Sequence, residues 1–187
     1  MELGVASGIV ELSDYNPKWG EDAIDTIGKL WNIFESTAKD IQHIGSTAIK
    51  NIKAKPIIDI AVAVDDFSEF ESLIPSLEHN GFSYRGWFIF ERITVMNVYE
   101  ETKSRGKVCT HHIHIVKTGS KEWDEHINFR DYMNAHDSAA REYEALKIDL
   151  AKQYPTDPNR EKYSAGKRDF IEQALINVVN WKKRHHS

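Results

Sequence analysis

Residues 56–64, Pro-Ile-Ile-Asp-Ile-Ala-Val-Ala-Val, constrain this chain more than any other segment. A short, almost continuous apolar run reads as a central strand covered on both sides. Side chains alternate across a strand, so Asp59, Ala61 and Ala63 share one face. Ile58, Ile60, Val62 and Val64 share the other. The Asp59 face is acidic at one end and then shallow, because alanines leave room for a ligand. A carboxylate inside an apolar strand needs a partner or a metal. It can equally cap a turn or pair with Lys55.

Just before this strand stands His43-Ile44-Gly45-Ser46-Thr47-Ala48, read as a short strand and a Gly-Ser turn. Glycine lets a phosphate approach the backbone closely, and the Ser46 hydroxyl and nearby amides can donate to it. Gly-Ser pairs also occur in plain turns, so the signal comes from the placement of Gly45 and Ser46 ahead of Asp59. Lys55 can add positive charge to the same phosphate, and Pro56 stiffens the entry to the strand.

The segment His111-His112-Ile113-His114-Ile115 supplies imidazoles. Alternation puts His112 and His114 on one face and His111 on the other with Ile113 and Ile115. Two imidazoles so spaced can bind one metal or flank one phosphate. With Asp59 they would form a set of two histidines and one carboxylate. Three further cations are candidates for phosphate. Arg130 stands in Phe-Arg-Asp-Tyr on a helix, and Lys147 and Lys167 each follow a tyrosine by four residues, Tyr143 and Tyr163. The alternative for each is a solvated surface charge.

The remaining pattern predicts helices over residues 16–39, 67–80, 121–135, 138–153 and 160–183. The first carries Trp19, Ala23, Ile27, Leu30, Trp31 and Phe34 at helical spacing. Strands are expected over 41–45, 56–64, 82–90, 93–99 and 108–117, with a polar loop at 100–107. The chain reads as one α/β (α+β) domain over residues 1–187: a mixed sheet flanked by helices, with a helical C-terminal third.

A formal charge of −5 argues against a global surface for duplex nucleic acid, while a local basic pocket remains compatible with it. Cys109 is the only cysteine, so no intrachain disulfide forms. That fits a reducing cytoplasm, as does the absence of a membrane-length apolar run or a signal-like start. Cys109 itself reads as a thiol buried in a strand. The basic end, Lys182-Lys183-Arg184-His185-His186-Ser187, reads as a helix terminus with cations at its carbonyl pole, or as an expression scar. Oligomeric state is left open.

Taken together, residues 43–48, 54–60, 111–116, 129–133, 142–147 and 163–167 resemble the GrpB family, in family order, from about residue 15 to residue 176. The resemblance implies a nucleotidyltransferase-like fold, a fold also found appended to some dephospho-CoA kinases. It implies a nucleotide or other phosphorylated small molecule as partner, and a divalent metal (Mg²⁺ or Mn²⁺, or Zn²⁺). The wider superfamily pattern is Gly-Ser followed by Asp-x-Asp or Asp-x-Glu. Gly45, Ser46 and Asp59 match it, and Ala61 departs from it. Paired carboxylates normally hold the two ions of phosphoryl transfer. Either histidines replace the missing one, or another acid such as Glu91 arrives from a neighbouring strand, or catalysis is lost. Three functions follow. The first is metal-dependent nucleotidyl transfer to a small acceptor, with Asp59, His112 and His114 at the metal and Gly45, Ser46, Lys55, Arg130, Lys147 and Lys167 at phosphate. The second is a non-catalytic binding or chaperone-like module with a degenerate site. The third is a metal-dependent hydrolase using the Asp-His-His set.

Overall fold

The apolar run forms the strand its pattern predicts, and its neighbours determine what Asp59 meets. In a computed structural model of the chain, the structure describes residues 2–88, 93–102, 104–158 and 161–185. The strands are β1 (Val5–Ala6), β2 (Ala38–Ile44), β3 (Ile58–Val64), β4 (Phe82–Phe88), β5 (Ile93–Thr102) and β6 (Gly106–Lys117). They form one six-stranded sheet in the order β2-β3-β6-β5-β4, with β1 pairing β6. β3 and β6 run parallel, and the other pairs are antiparallel. The helices are α1 (Lys18–Phe34), α2 (Phe67–His79), α3 (Lys121–Ala135), α4 (Asp137–Gln153), α5 (Glu161–Ala165) and α6 (Arg168–His185). The fold is mixed α/β, as the sequence pattern implies.

The two faces of the sheet differ in chemistry. Ile58, Ile60, Val62 and Val64 of β3 join Ile113 and Ile115 of β6 and Met96 of β5 in the main core. Trp19, Leu30 and Phe34 of α1 and Phe70 and Leu77 of α2 complete it, so these two helices cover the apolar face. The opposite face carries Asp59, His112 and Asn97 side by side, because Asp59 pairs with His112 and His112 with Asn97 across three strands. Helix α3 lies over this side. A second core joins it to α4 and α6 through Phe129, Met133, Tyr143 and Ala174.

Four expectations shift. Helix α1 ends at Phe34 rather than at residue 39, because Glu35 turns into the left-handed region (φ 47°) and sends the chain back as β2. Trp31 is 38% exposed, and Thr26 is buried in its place because its hydroxyl meets His111. The loop expected at 100–107 is a tighter hairpin, with Glu101 paired to Lys107 and Thr102 to Gly106. Its polar side chains extend the ladder into solvent, and polarity alone does not break a strand. The last helix divides after Ala165, and Gly166 stands in the turn, where a Cβ would lie 2.4 Å from the end of the Leu150 side chain. Glu91, and residues 89–92 generally, fall outside the described residues. Among the described residues, no helix is long and apolar enough to cross a membrane.

Candidate functional site

Asp59, His112 and His114 reach one another because β3 and β6 run parallel with Asp59 opposite His112 and Ala61 opposite His114. Asp59 Oδ1 lies 3.2 Å from His112 Nδ1 and 3.4 Å from His114 Nε2. Ala61 is fully buried, and His114 stands across from it where the superfamily pattern would place a second carboxylate. Ligand-capable atoms of the three side chains all lie within 4.8 Å of one another. Ligands of one tetrahedral ion at ~2.1 Å sit roughly 3.4 Å apart, close to the spacing of Asp59 Oδ1 from each imidazole nitrogen. Burial pushes the Asp59 carboxyl up, yet hydrogen bonds from His112 and His114 and their charge hold it well below the usual carboxylate range. About a quarter of the Asp59 side chain is exposed, so the group is reachable from the adjoining cavity.

That cavity, of ≈ 380 Å³, is lined by Ser46, Lys55, Asp59, His112, His114 and Lys167, with Tyr163 and Ser164 from α5. Two of the lining residues are cationic. Lys55 and Lys167 each place Nζ 4.8 Å from the centroid of the Tyr163 ring. Ser46 Oγ lies 3.4 Å from the Tyr143 hydroxyl. Lys147 stands behind this wall, 1% exposed, with Nζ 4.7 Å from the Tyr143 ring and donating to the Lys53 carbonyl. Burial first, then the charges of Lys167 and Lys55, with Glu144 opposing, lower its pKa to about 7.

Gly45 serves a purpose that the sequence does not reveal. It adopts φ +70°, and a Cβ there would lie 2.5 Å from Asp59 Oδ2. The close approach that glycine permits is therefore to the Asp59 carboxylate itself. Arg130 is placed apart from the cavity wall. Its Nη1 donates to Gln42 Oε1 and to the His43 carbonyl, and its Nε to Asp131, so it ties α3 to β2. Of the candidates, Asp59, His112, His114, Ser46, Lys55 and Lys167 share one cavity, while Gly45, Arg130 and Lys147 support it from behind.

Other polar groups surround the site. His126 of α3 packs its ring 5.4 Å from that of His114. Burial, with His114 adding to it and Asp59 and Glu122 opposing, lowers its pKa to about 4, so it is a neutral wall at physiological pH. His111 faces the other way and bonds Thr26 and Thr110, with burial lowering it to about 4. Asn97, in register with His112, could have been flagged by the rule that singled out Asp59: a polar residue inside an apolar strand.

The model of the family described as "GrpB protein" matches residues 9–176. The chain is 35% identical over 176 residues to the glutamate-rich protein GrpB of Alkalihalophilus pseudofirmus, covering 92% of this chain and 98% of that one. It is 34% identical over 174 residues to the UPF0157 protein YqkA of Bacillus subtilis, covering 93% of this chain and about half (48%) of that longer relative. Among solved structures, the conserved protein GrpB from Enterococcus faecalis superposes with a TM-score of 0.80 at 28% identity, over 92% of this chain and 99% of that chain. Cid1, solved in complex with its short product ApU, gives a TM-score of 0.51 at 14% identity, over 74% of this chain and 42% of that one. At that identity the likeness concerns the fold alone, which is nucleotidyltransferase-like. Sequence match, full-length relative and superposed structure agree, and the chain belongs to the GrpB family.

Proposed function

We propose that the cavity binds a nucleotide or other phosphorylated small molecule beside a divalent ion, and that the protein transfers a nucleotidyl group to a small acceptor. The observation that carries this reading is that one ≈ 380 Å³ cavity is lined both by Asp59, His112 and His114 and by Lys55 and Lys167. An anionic ligand with an associated cation needs both. Asp59, His112 and His114 would hold the ion, whose contribution is Lewis-acid stabilisation of charge on phosphate oxygens. Two imidazoles and one carboxylate suit Mn²⁺ or Zn²⁺ better than Mg²⁺, which prefers oxygen ligands. Lys55, Lys167 and the Ser46 hydroxyl orient the phosphates. Lys147 adds positive potential from beneath Tyr143, and Gly45 keeps Asp59 in place. Arg130 acts through the backbone of β2.

A second reading has one specific observation in its favour. Ala61 is buried at the position of the usual second carboxylate, which fits binding without transfer. The two separate in one experiment. Wild type and Asp59→Asn are titrated with Mn²⁺ by calorimetry, then incubated with each nucleoside triphosphate and a mixed acceptor pool. The expected result is a roughly 100-fold (about 2.7 kcal/mol) weaker Mn²⁺ affinity in the variant, with pyrophosphate released by wild type only. Equal Mn²⁺ affinity would remove Asp59 as a ligand. Metal binding without pyrophosphate would favour the binding module. Orthophosphate in place of pyrophosphate would favour a hydrolase.

A further inference from the structure

His112 is shared by two cavities. On the β5 side of it lies a second cavity of ≈ 250 Å³ lined by Ser7, Gly8, Asn97, Tyr99, His112 and Pro158, among others. Its floor is built by the sheet. Val98 pairs with His111 but Tyr99 with Cys109, so β6 bulges at Thr110. The bulge turns Cys109 and Lys107 onto the same face as His112, and all three line the cavity. The roof comes from two loops held together: Asp157 N donates to the Gly8 carbonyl, and Ile9 bridges Thr156. Asp157 also accepts from Tyr163 N through Oδ2. The segment that roofs this cavity with Pro158 is thus tied to the helix that walls the first with Tyr163.

The chemistry of the two cavities is complementary. The first offers two lysines and a metal-capable cluster, as phosphate requires. The second offers Tyr99, Pro158, the glycine backbone, one hydroxyl and one carboxamide. None of the described residues lining it is a carboxylate, so a cationic group finds no counter-charge there. Its one lysine, Lys107, rests Nζ 4.6 Å from the Tyr99 ring centroid. Asn97 Nδ2 donates to the Tyr99 hydroxyl at 3.0 Å, while its Oδ1 is buried with no partner. A buried carbonyl left unpaired opposes folding, and a small turn of the carboxamide toward a ligand N–H would pair it.

We propose that this cavity is the base subsite of a single nucleotide that straddles His112, with Asn97 accepting a hydrogen bond from a ring or exocyclic N–H of the base. The inference rests on the phosphate-site reading above and adds to it the class of ligand: a nucleotide, chosen over other phosphorylated small molecules. The volume suits a planar heterocycle, and the shared His112 places the base and the phosphates on opposite sides of one imidazole.

The test compares inorganic tripolyphosphate with ATP, GTP, CTP and UTP, each in excess Mn²⁺, by calorimetry on the whole chain. Three proteins are used: wild type, Asn97→Leu, which removes both hydrogen-bonding groups at similar volume, and Ser7→Trp, which fills the cavity from an exposed position. At least one nucleotide should bind wild type roughly tenfold tighter than tripolyphosphate. Both variants should lose that margin while keeping tripolyphosphate affinity within about twofold. A base margin unchanged in Ser7→Trp and Asn97→Leu would overturn the subsite, as would nucleotides that bind wild type no tighter than tripolyphosphate. Failure of tripolyphosphate itself to bind wild type would instead overturn the phosphate site. If Asn97→Leu does not fold, Ser7→Trp alone decides.

Discussion

The two faces of β3 are built from the same seven residues, yet they differ in what burial does. On one face Ile58, Ile60, Val62 and Val64 lose water and gain close packing against α1 and α2. On the other, Asp59 is held by two imidazoles, with Ala61 and Ala63 beside it. The first face is sufficient in itself: its contacts are made and it needs no ligand. The second has a carboxylate kept ionised in a confined place, two lysines lining the same cavity, and two orphaned polar atoms nearby, Asn97 Oδ1 and His114 Nδ1. Burying apolar surface stabilises a fold, whereas burying polar groups without partners opposes it. A protein that tolerates the second arrangement holds there what a ligand needs.

If the faces have separate duties, mutating one should spare the other. The largest effect is expected at Ile60, fully buried on the apolar face. Ile60→Ala should cost about 2–5 kcal/mol in urea unfolding. The folded fraction should bind Mn²⁺ as wild type does. A matching loss of Mn²⁺ affinity would show that the faces are coupled through the strand.

Gly45→Ala is the sharper cut, because it pushes on the site without touching the core. The added Cβ meets Asp59 Oδ2, and the backbone conformation at φ +70° suits glycine. A stability loss of about 1–3 kcal/mol is expected. Mn²⁺ affinity should fall by roughly tenfold, since the carboxylate must move (about 1.4 kcal/mol). Destabilisation with unchanged Mn²⁺ affinity would mean that Gly45 shapes the turn and not Asp59.

The smallest effect is a fraction of a proton. Lys147 titrates near pH 7 because burial disfavours its charge and Lys167 and Lys55 repel it. An anion bound at Lys55 and Lys167 offsets that repulsion and raises the Lys147 pKa. Binding of tripolyphosphate should therefore take up protons, most strongly just above pH 7, where Lys147 is partly neutral in the free protein and charged in the complex. Calorimetry in buffers of different ionisation enthalpy reads this uptake, and Lys147→Met should abolish it. Proton release, or uptake that survives in the variant, would place Lys147 outside the anion's field.

Much of the contrast between the faces was legible in the chain. Strand alternation put Asp59 opposite Ile58 and Ile60, and His112 opposite Ile113, without any coordinates. Tyr143 and Lys147 on α4 do bring the ammonium over the ring, at 4.7 Å, and Lys167 reaches the Tyr163 ring at 4.8 Å from the turn after α5 rather than from the same helix. Arg130 was read as a phosphate candidate from its helical context, and only the packing of α3 on β2 shows where its nitrogens point. His126 carried no signal, because a histidine on a helix has many solvated alternatives. The ends of α1 and of the β5–β6 hairpin were misplaced where local polarity competed with pairing across the sheet.

What the sequence determined alone is what depends on neighbours along the chain: which residues make strands and helices, and which side chains share a face. Those follow from backbone geometry with periods of two and 3.6 residues. What tertiary structure decided is which faces meet. The parallel pairing of β3 with β6 sets His112 beside Asp59 and His114 beside Ala61, and the bulge at Thr110 brings Cys109 under the second cavity. It also decided that Gly45 gives way to a carboxylate, through a contact with a residue 14 positions further along. Strand order and register arise from burying many apolar side chains at once, and no short segment contains that information.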